Sequence, residues 1–212
     1  MESQEKMVPL LLLISGPSGV GKTTVCEQLL AAVPSLTRAV TCTTRPPRQG
    51  EQDGVHYHFL AEGAFQKKLE AGEFLEDATV YGHSCGTPKA ELAAKLRAGQ
   101  DVLLNVDVQG AATVRTVAAQ DPELRQSLVT VFLAPPSAEA LAARLRGRGL
   151  DSEAVIQRRL AAARQELARW REFDYLVISG TMDEDLRRVK LIYEAEKMRP
   201  ARVGGFRPCE SV

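Results

Sequence analysis

The densest chemistry in the 212-residue chain lies in one run, Gly-Pro-Ser-Gly-Val-Gly-Lys-Thr-Thr at residues 16–24. Gly16, Gly21, Lys22 and Thr23 fill the pattern G-x-x-x-x-G-K-[ST], a phosphate-binding P-loop. Glycines let the backbone curl until several N–H groups point at one anion. The helix start that follows adds a positive dipole end. Lys22 brings a mobile cation to the outer phosphates, and the Thr23 hydroxyl can ligate Mg²⁺. An ordinary glycine turn would not need its flanks, an apolar run at 8–14 and an amphipathic stretch at 25–32. The candidate triphosphate site is therefore Gly16, Pro17, Ser18, Gly19, Val20, Gly21, Lys22, Thr23 and Thr24. The motif leaves the phosphoryl acceptor open.

Three further groups carry chemistry. Asp107 ends an apolar strand, Val-Leu-Leu-Asn-Val-Asp. It could hold the metal's water shell, cap the helix that follows, or do both. A second group is Arg45, Arg48, Tyr57, Glu76 and Thr87. Two arginines and a phenol suit a second phosphate, although taken alone they also read as solvated surface charge. Glu76 lies in an apolar strand, where a carboxylate either faces water or recognises something. Thr87 could merely cap the helix beginning at Lys89. The third group is Arg144, Arg146, Arg148, Arg158 and Arg159, around a glycine-bounded excursion. That pattern suits a mobile lid over phosphates, with Arg146 and Arg158 assigned to ordinary helix faces.

The elements that must position these residues alternate. Strands are expected at 8–14, 36–42, 101–106, 128–133 and 175–178. Helices are expected at 22–32, 89–98, 111–119, 137–145, from Asp151 or Ser152 to 172, and at 182–198, with a loose tail from 200. Alternation of this kind implies a doubly wound parallel sheet, an α/β fold with ligands beyond the carboxyl ends of the strands. Residues 43–88 break the rhythm: a polar turn-rich stretch, a strand at 56–60, a helix at 62–71, a strand at 74–81 and a turn at 82–88. They read as a small antiparallel insert.

Bulk properties narrow the classes. Lysine plus arginine equals aspartate plus glutamate, 27 each, so no basic field argues for a nucleic-acid partner. Arginine outnumbers lysine 19 to 8, which favours phosphate contacts only weakly. The four cysteines, Cys26, Cys42, Cys85 and Cys209, show no metal-ligand spacing and read as reduced thiols. The apolar run at 8–14 is too short to span a membrane, and no signal-peptide layout precedes it. A cytoplasmic protein is expected, without membrane or nucleic-acid partners, as monomer or homodimer.

Several ordered motifs together resemble guanylate kinase. The P-loop is joined by Thr-Thr-Arg-Pro-Pro-Arg at 43–48, Gly50-Glu, Asp-Gly-Val-His-Tyr-His-Phe at 53–59, Phe-Leu-Glu at 74–76 and Gly86-Thr. Asp-Val-Gln-Gly-Ala at 107–111 and Arg-Leu-Arg-Gly-Arg-Gly at 144–149 complete the set, over about residues 10–199. The resemblance implies a three-part P-loop kinase: a core at 1–41, 89–143 and 160–212, a GMP-binding α+β insert at 42–88, and a lid at 144–159. It implies phosphoryl transfer from ATP, with Mg²⁺, to GMP and dGMP. Thr41, Arg45, Arg48, Tyr57, Glu76, Thr87 and Asp107 would bind GMP, with Glu76 and Thr87 reading guanine. Lys22, Arg48, Arg144, Arg148 and Arg159 would surround the transferring group, and Thr23 and Asp107 would serve the metal, Asp107 through water. Three positions depart from the family pattern: Thr41 where serine is common, Cys85 where tyrosine is usual, and Asn105 where an aspartate is common. Two other readings stay in view, a non-catalytic phosphopeptide-binding module and a kinase for another nucleoside monophosphate.

Overall fold

The computed structural model describes residues 7–80, 82–147 and 152–203. In chain order the elements are β1 (Leu11–Ser15), α1 (Lys22–Ala32), β2 (Leu36–Arg38), β3 (Thr41–Thr43), β4 (Tyr57–Phe59), α2 (Glu62–Glu70), β5 (Phe74–Val80) and β6 (His83–Pro88). They continue with α3 (Lys89–Arg97), β7 (Asp101–Asn105), α4 (Val108–Gln120), α5 (Pro122–Ser127), β8 (Leu128–Ala134), α6 (Ala138–Gly147), α7 (Glu153–Leu167), β9 (Tyr175–Ile178) and α8 (Met182–Lys197).

The central sheet has the order β2-β7-β1-β8-β9, and every pairing in it is parallel. β1 is central because it is apolar on both faces. Leu10, Leu12 and Ile14 join one core with Val25 and Leu29 of α1 and Val189 and Tyr193 of α8. Leu11 and Leu13 join the other with Leu92 of α3 and Ala111 and Val114 of α4. Each such leucine removed from water contributes about 1.5–3 kcal/mol. Two covered faces are what the uninterrupted apolar run requires, since alternation would leave one face wet.

The second sheet, β4-β3-β6-β5, differs from expectation in three ways. Residues 36–42 do not form one strand. The chain leaves the central sheet after β2 and enters the second one at β3, so Thr41 belongs to the insert. Residues 82–88 are not a turn: β6 pairs antiparallel with both β3 and β5. Its sequence, His-Ser-Cys-Gly-Thr-Pro, has little strand propensity, and a ladder on each side overrides that. The insert is also not wholly antiparallel, because β3 and β4 run parallel.

Helix boundaries shift for local reasons. α4 begins at Val108 rather than 111 because the Asp107 carboxylate accepts the Gly110 N–H at 2.7 Å and caps it. Asp121 caps the unexpected α5 in the same way. α7 stops at Leu167 and a short 3₁₀ turn covers Trp170–Glu172, where one continuous helix was expected. The start of the expected loose tail is held: Arg202 is buried and donates to the Gln126 carbonyl at 2.8 Å. Among the described residues no helix is long and apolar enough to cross a membrane.

Candidate active site

The P-loop lies between the end of β1 and the first turn of α1. Its glycines are required by geometry. A Cβ at Gly16 would stand 2.1 Å from the Leu133 carbonyl oxygen, so only a glycine lets the loop lie on β8. Gly21 has φ 114°, a left-handed value that favours glycine, and it starts α1. α1 has neither a side-chain cap nor an acidic residue in its first turn. Its orphan N–H groups are therefore left to an external anion. The Lys22 ammonium donates to the Gly16 carbonyl at 2.6 Å and the Pro17 carbonyl at 3.2 Å, folded over the loop it serves.

One cavity of about 430 Å³ joins this loop to the insert. Ser18, Lys22 and Thr23 line it together with Thr41, Arg48, Tyr57 and Glu76, and Asn105, Asp107 and Arg159 share the same walls. The sequence candidates thus converge from β3, β4, β5, the end of β7 and α7.

Glu76 is the most constrained of them. It is only 4% exposed. Its Oε1 accepts the Thr87 hydroxyl at 2.5 Å, across the β5–β6 ladder where the two residues are paired. Burial pushes its carboxyl up to about 7; the Thr87 hydrogen bond pulls the other way, and Asp107 and Asp77 add to the rise. Thr87 therefore supports Glu76 and is itself 1% exposed, while the cavity wall is formed by Glu76.

The two insert arginines have separate situations. Arg45 makes two 2.7 Å hydrogen bonds to the Glu51 carboxylate and stacks over Tyr57, 5.0 Å from its centroid. These bonds pull the Glu51 carboxyl down to about 2 against a smaller upward push from burial. Glu51 also accepts the Arg48 backbone N–H at 2.7 Å, so one carboxylate organises both arginines. Arg48 is exposed and lines the cavity.

The lid candidates divide. Arg159 reaches the cavity from α7. Arg144 is occupied elsewhere: its guanidinium donates to the Val20 carbonyl at 2.8 Å, Ser179 Oγ at 2.9 Å and the Gly180 carbonyl at 3.2 Å. It ties α6 to the back of the P-loop. Arg146 pairs with Glu153 on the surface, as an ordinary helix-face residue does. Arg148 lies outside the described residues.

Mg²⁺ fits the donor set. A hydroxyl at Thr23 and a carboxylate at Asp107 line one cavity, and both are hard oxygen donors. The cap on α4 engages only the Asp107 Oδ1, leaving Oδ2 for a metal-bound water. Among the described residues no group of three or more His, Cys, Asp or Glu could hold a metal alone.

Three residues escaped sequence reasoning. Gly110 stands where a Cβ would be 2.5 Å from Glu76 Oε2, so its lack of a side chain makes room for that carboxylate at the N-terminus of α4. Glu51 was part of a motif without a role. Glu166, on α7, lines the cavity without any motif to mark it.

The guanylate kinase family model matches residues 8–196. The chain belongs to the guanylate kinase family. It is 41% identical over 197 residues to the guanylate kinase of Paramagnetospirillum magneticum, covering 93% of this chain and 89% of the relative. It is 39% identical over 193 residues to that of Clostridioides difficile, covering 91% of both. The crystal structure of guanylate kinase from Anaplasma phagocytophilum superposes with a TM-score of 0.75 at 30% identity, over 96% of this chain and 94% of that one. In this member of the guanylate kinase family, the departures at Thr41, Cys85 and Asn105 all fall on the cavity wall. Cys85 Sγ lies 3.3 Å from the Thr43 hydroxyl, and burial pushes its thiol up.

Proposed function

We propose that the protein is an ATP:GMP phosphotransferase, forming ADP and GDP, and that dGMP serves as a second acceptor. The single observation that carries the assignment is the shared cavity, which holds a P-loop and a buried carboxylate together. Guanine presents N1–H and a 2-amino group side by side, and one carboxylate can accept both. Adenine has no such pair, and its binding would leave a buried Glu76 unpaired at a cost of about 1–3 kcal/mol or more.

The functional parts follow from the reading: a core at 1–40, 89–143 and 160–212 for ATP, the insert, now beginning at Thr41 and running to 88, for GMP, and a lid at 144–159. Arg45, Arg48 and Tyr57 take the GMP phosphate, with Thr41 and Asp107 completing that site. Lys22 leaves its loop carbonyls for the donor phosphates. Arg159 approaches from the lid side, joined by Arg148 and, once its carbonyl contacts are released, Arg144. Mg²⁺, held by Thr23 and through water by Asp107, would neutralise charge on the donor phosphates.

A GMP phosphate oxygen attacks the γ-phosphorus of ATP. The new P–O bond forms as the bond from the γ-phosphorus to the β–γ bridging oxygen breaks, and ADP carries away the electron pair. The nucleophile is already anionic, so no general base is required. The residues act by alignment and charge neutralisation.

An intact P-loop favours this reading over a non-catalytic phosphopeptide module. The balanced charge and apolar core fit a cytoplasmic enzyme acting on small molecules, as monomer or homodimer. A coupled assay with GMP, dGMP, AMP, UMP and CMP tests it. Turnover with GMP and dGMP alone is expected; AMP turned over as fast as GMP would overturn the guanine assignment.

A further inference from the structure

α7 shows the cavity one face, made by Arg159, Ala162 and Glu166 at i, i+3 and i+7. Arg159 suits phosphates. Glu166 does not: it is a half-buried carboxylate among groups arranged for anions. Ser18, a member of the P-loop itself, lines the same cavity. The attractive charge facing it is Lys22, the repulsive one is Asp107, and burial outweighs both in raising its carboxyl. The phosphoryl-transfer scheme has no use for a second anion at this point.

The inference rests on the reading that the P-loop takes the donor triphosphate. We propose that Glu166 is a specificity-determining residue of the donor site, selecting metal-bound over metal-free nucleoside triphosphate. An incoming triphosphate must share the cavity with this carboxylate or displace it. The repulsion scales with the charge of the ligand, and a bound divalent cation cancels two of those charges. Metal-free triphosphate therefore meets the full repulsion and the metal complex a fraction of it.

The test measures ATP binding by calorimetry on the full chain, once with EDTA and once with saturating Mg²⁺, for wild type, Glu166→Gln and Glu166→Asp. In Glu166→Gln the ratio of metal-free to metal-bound Kd is expected to shrink by on the order of tenfold, mainly through tighter metal-free binding. Glu166→Asp keeps the charge and should retain most of the wild-type ratio, which separates charge from a general disturbance of the fold. A ratio unchanged within twofold in Glu166→Gln overturns the proposal. So does a loss of metal-bound affinity with metal-free affinity intact, which would make Glu166 a metal-holding group. Transfer from ATP to GMP by the wild type is followed in parallel. Its absence, with the ratio still shifted, would overturn the kinase reading and leave the selectivity role standing.

Discussion

Glu76 should make GMP binding depend on pH with a defined sign. Its carboxyl is pushed up to about 7 by burial, while guanine offers it two N–H donors and therefore binds the ionised form. GMP binding must then expel a proton whenever Glu76 starts out protonated. The apparent Kd scales as one plus ten to the power of pKa minus pH, so it should weaken about tenfold between pH 8 and pH 6, or roughly 1.4 kcal/mol. Isothermal calorimetry in two buffers of different ionisation enthalpy reads the proton directly, and release approaching one proton per GMP is expected near pH 6. The GMP phosphate also titrates, with a second pKa of about 6, and Glu76→Gln separates the two: the variant should keep the phosphate contribution and lose the step near 7. It should also raise the KM for GMP far more than that for ATP. Equal pH slopes in wild type and Glu76→Gln, or no proton release near pH 6, would refute the reasoning. Stability carries its own sign. Ionising Glu76 is harder in the folded protein than in the unfolded chain, so stability falls as pH rises from 4.5 through about 7. The cost above that range is about 3 kcal/mol, and thermal unfolding of wild type against Glu76→Gln should show the gap widening with pH.

Lys22→Ala should cut kcat by about two orders of magnitude or more in the coupled assay, because it removes the mobile cation of the P-loop; retention of most activity would sink the P-loop assignment. Gly110→Ala places a methyl group 2.5 Å from Glu76 Oε2, so KM for GMP should rise about tenfold with KM for ATP little changed. Cys85→Tyr restores the hydroxyl usual in the family at the cavity wall and should lower KM for GMP by roughly three- to tenfold, the worth of one hydrogen bond. Asp101 is 4% exposed and accepts from the Leu10 N–H, the Tyr193 hydroxyl and the Lys197 ammonium at 2.6–2.9 Å. Asp101→Ala should destabilise by about 3–5 kcal/mol, seen as a fall in Tm of about 10 °C.

Much of this protein was legible before folding. A run of leucines without alternation implied a strand covered on both faces, and β1 has both faces packed. The P-loop depends on a contiguous set of residue types, since its N–H groups, lysine and hydroxyl are neighbours along the chain. Its glycines carry left-handed torsions, although at Gly16 the close approach of the Leu133 carbonyl adds a demand that only the fold reveals. Capping at Asp107 is likewise a contact three residues long. The insert was less legible. β6 has almost no strand propensity, and only its two flanking ladders make it a strand. Residues 36–42 read as one strand, but the chain changes sheets inside them, which no local pattern marks. The site's electrical character belongs wholly to the tertiary structure. Nothing in the sequence around Glu76 says that Gly110, from a helix 34 residues later, makes room for its carboxylate. Nor does it say that burial holds that group near neutrality, or that Arg144 is tied to Val20 while Glu166 joins the P-loop at one cavity wall. Torsion and capping act between neighbours in sequence, whereas desolvation and charge depend on what lies within a few ångströms, and for these residues the chain had to fold to decide that.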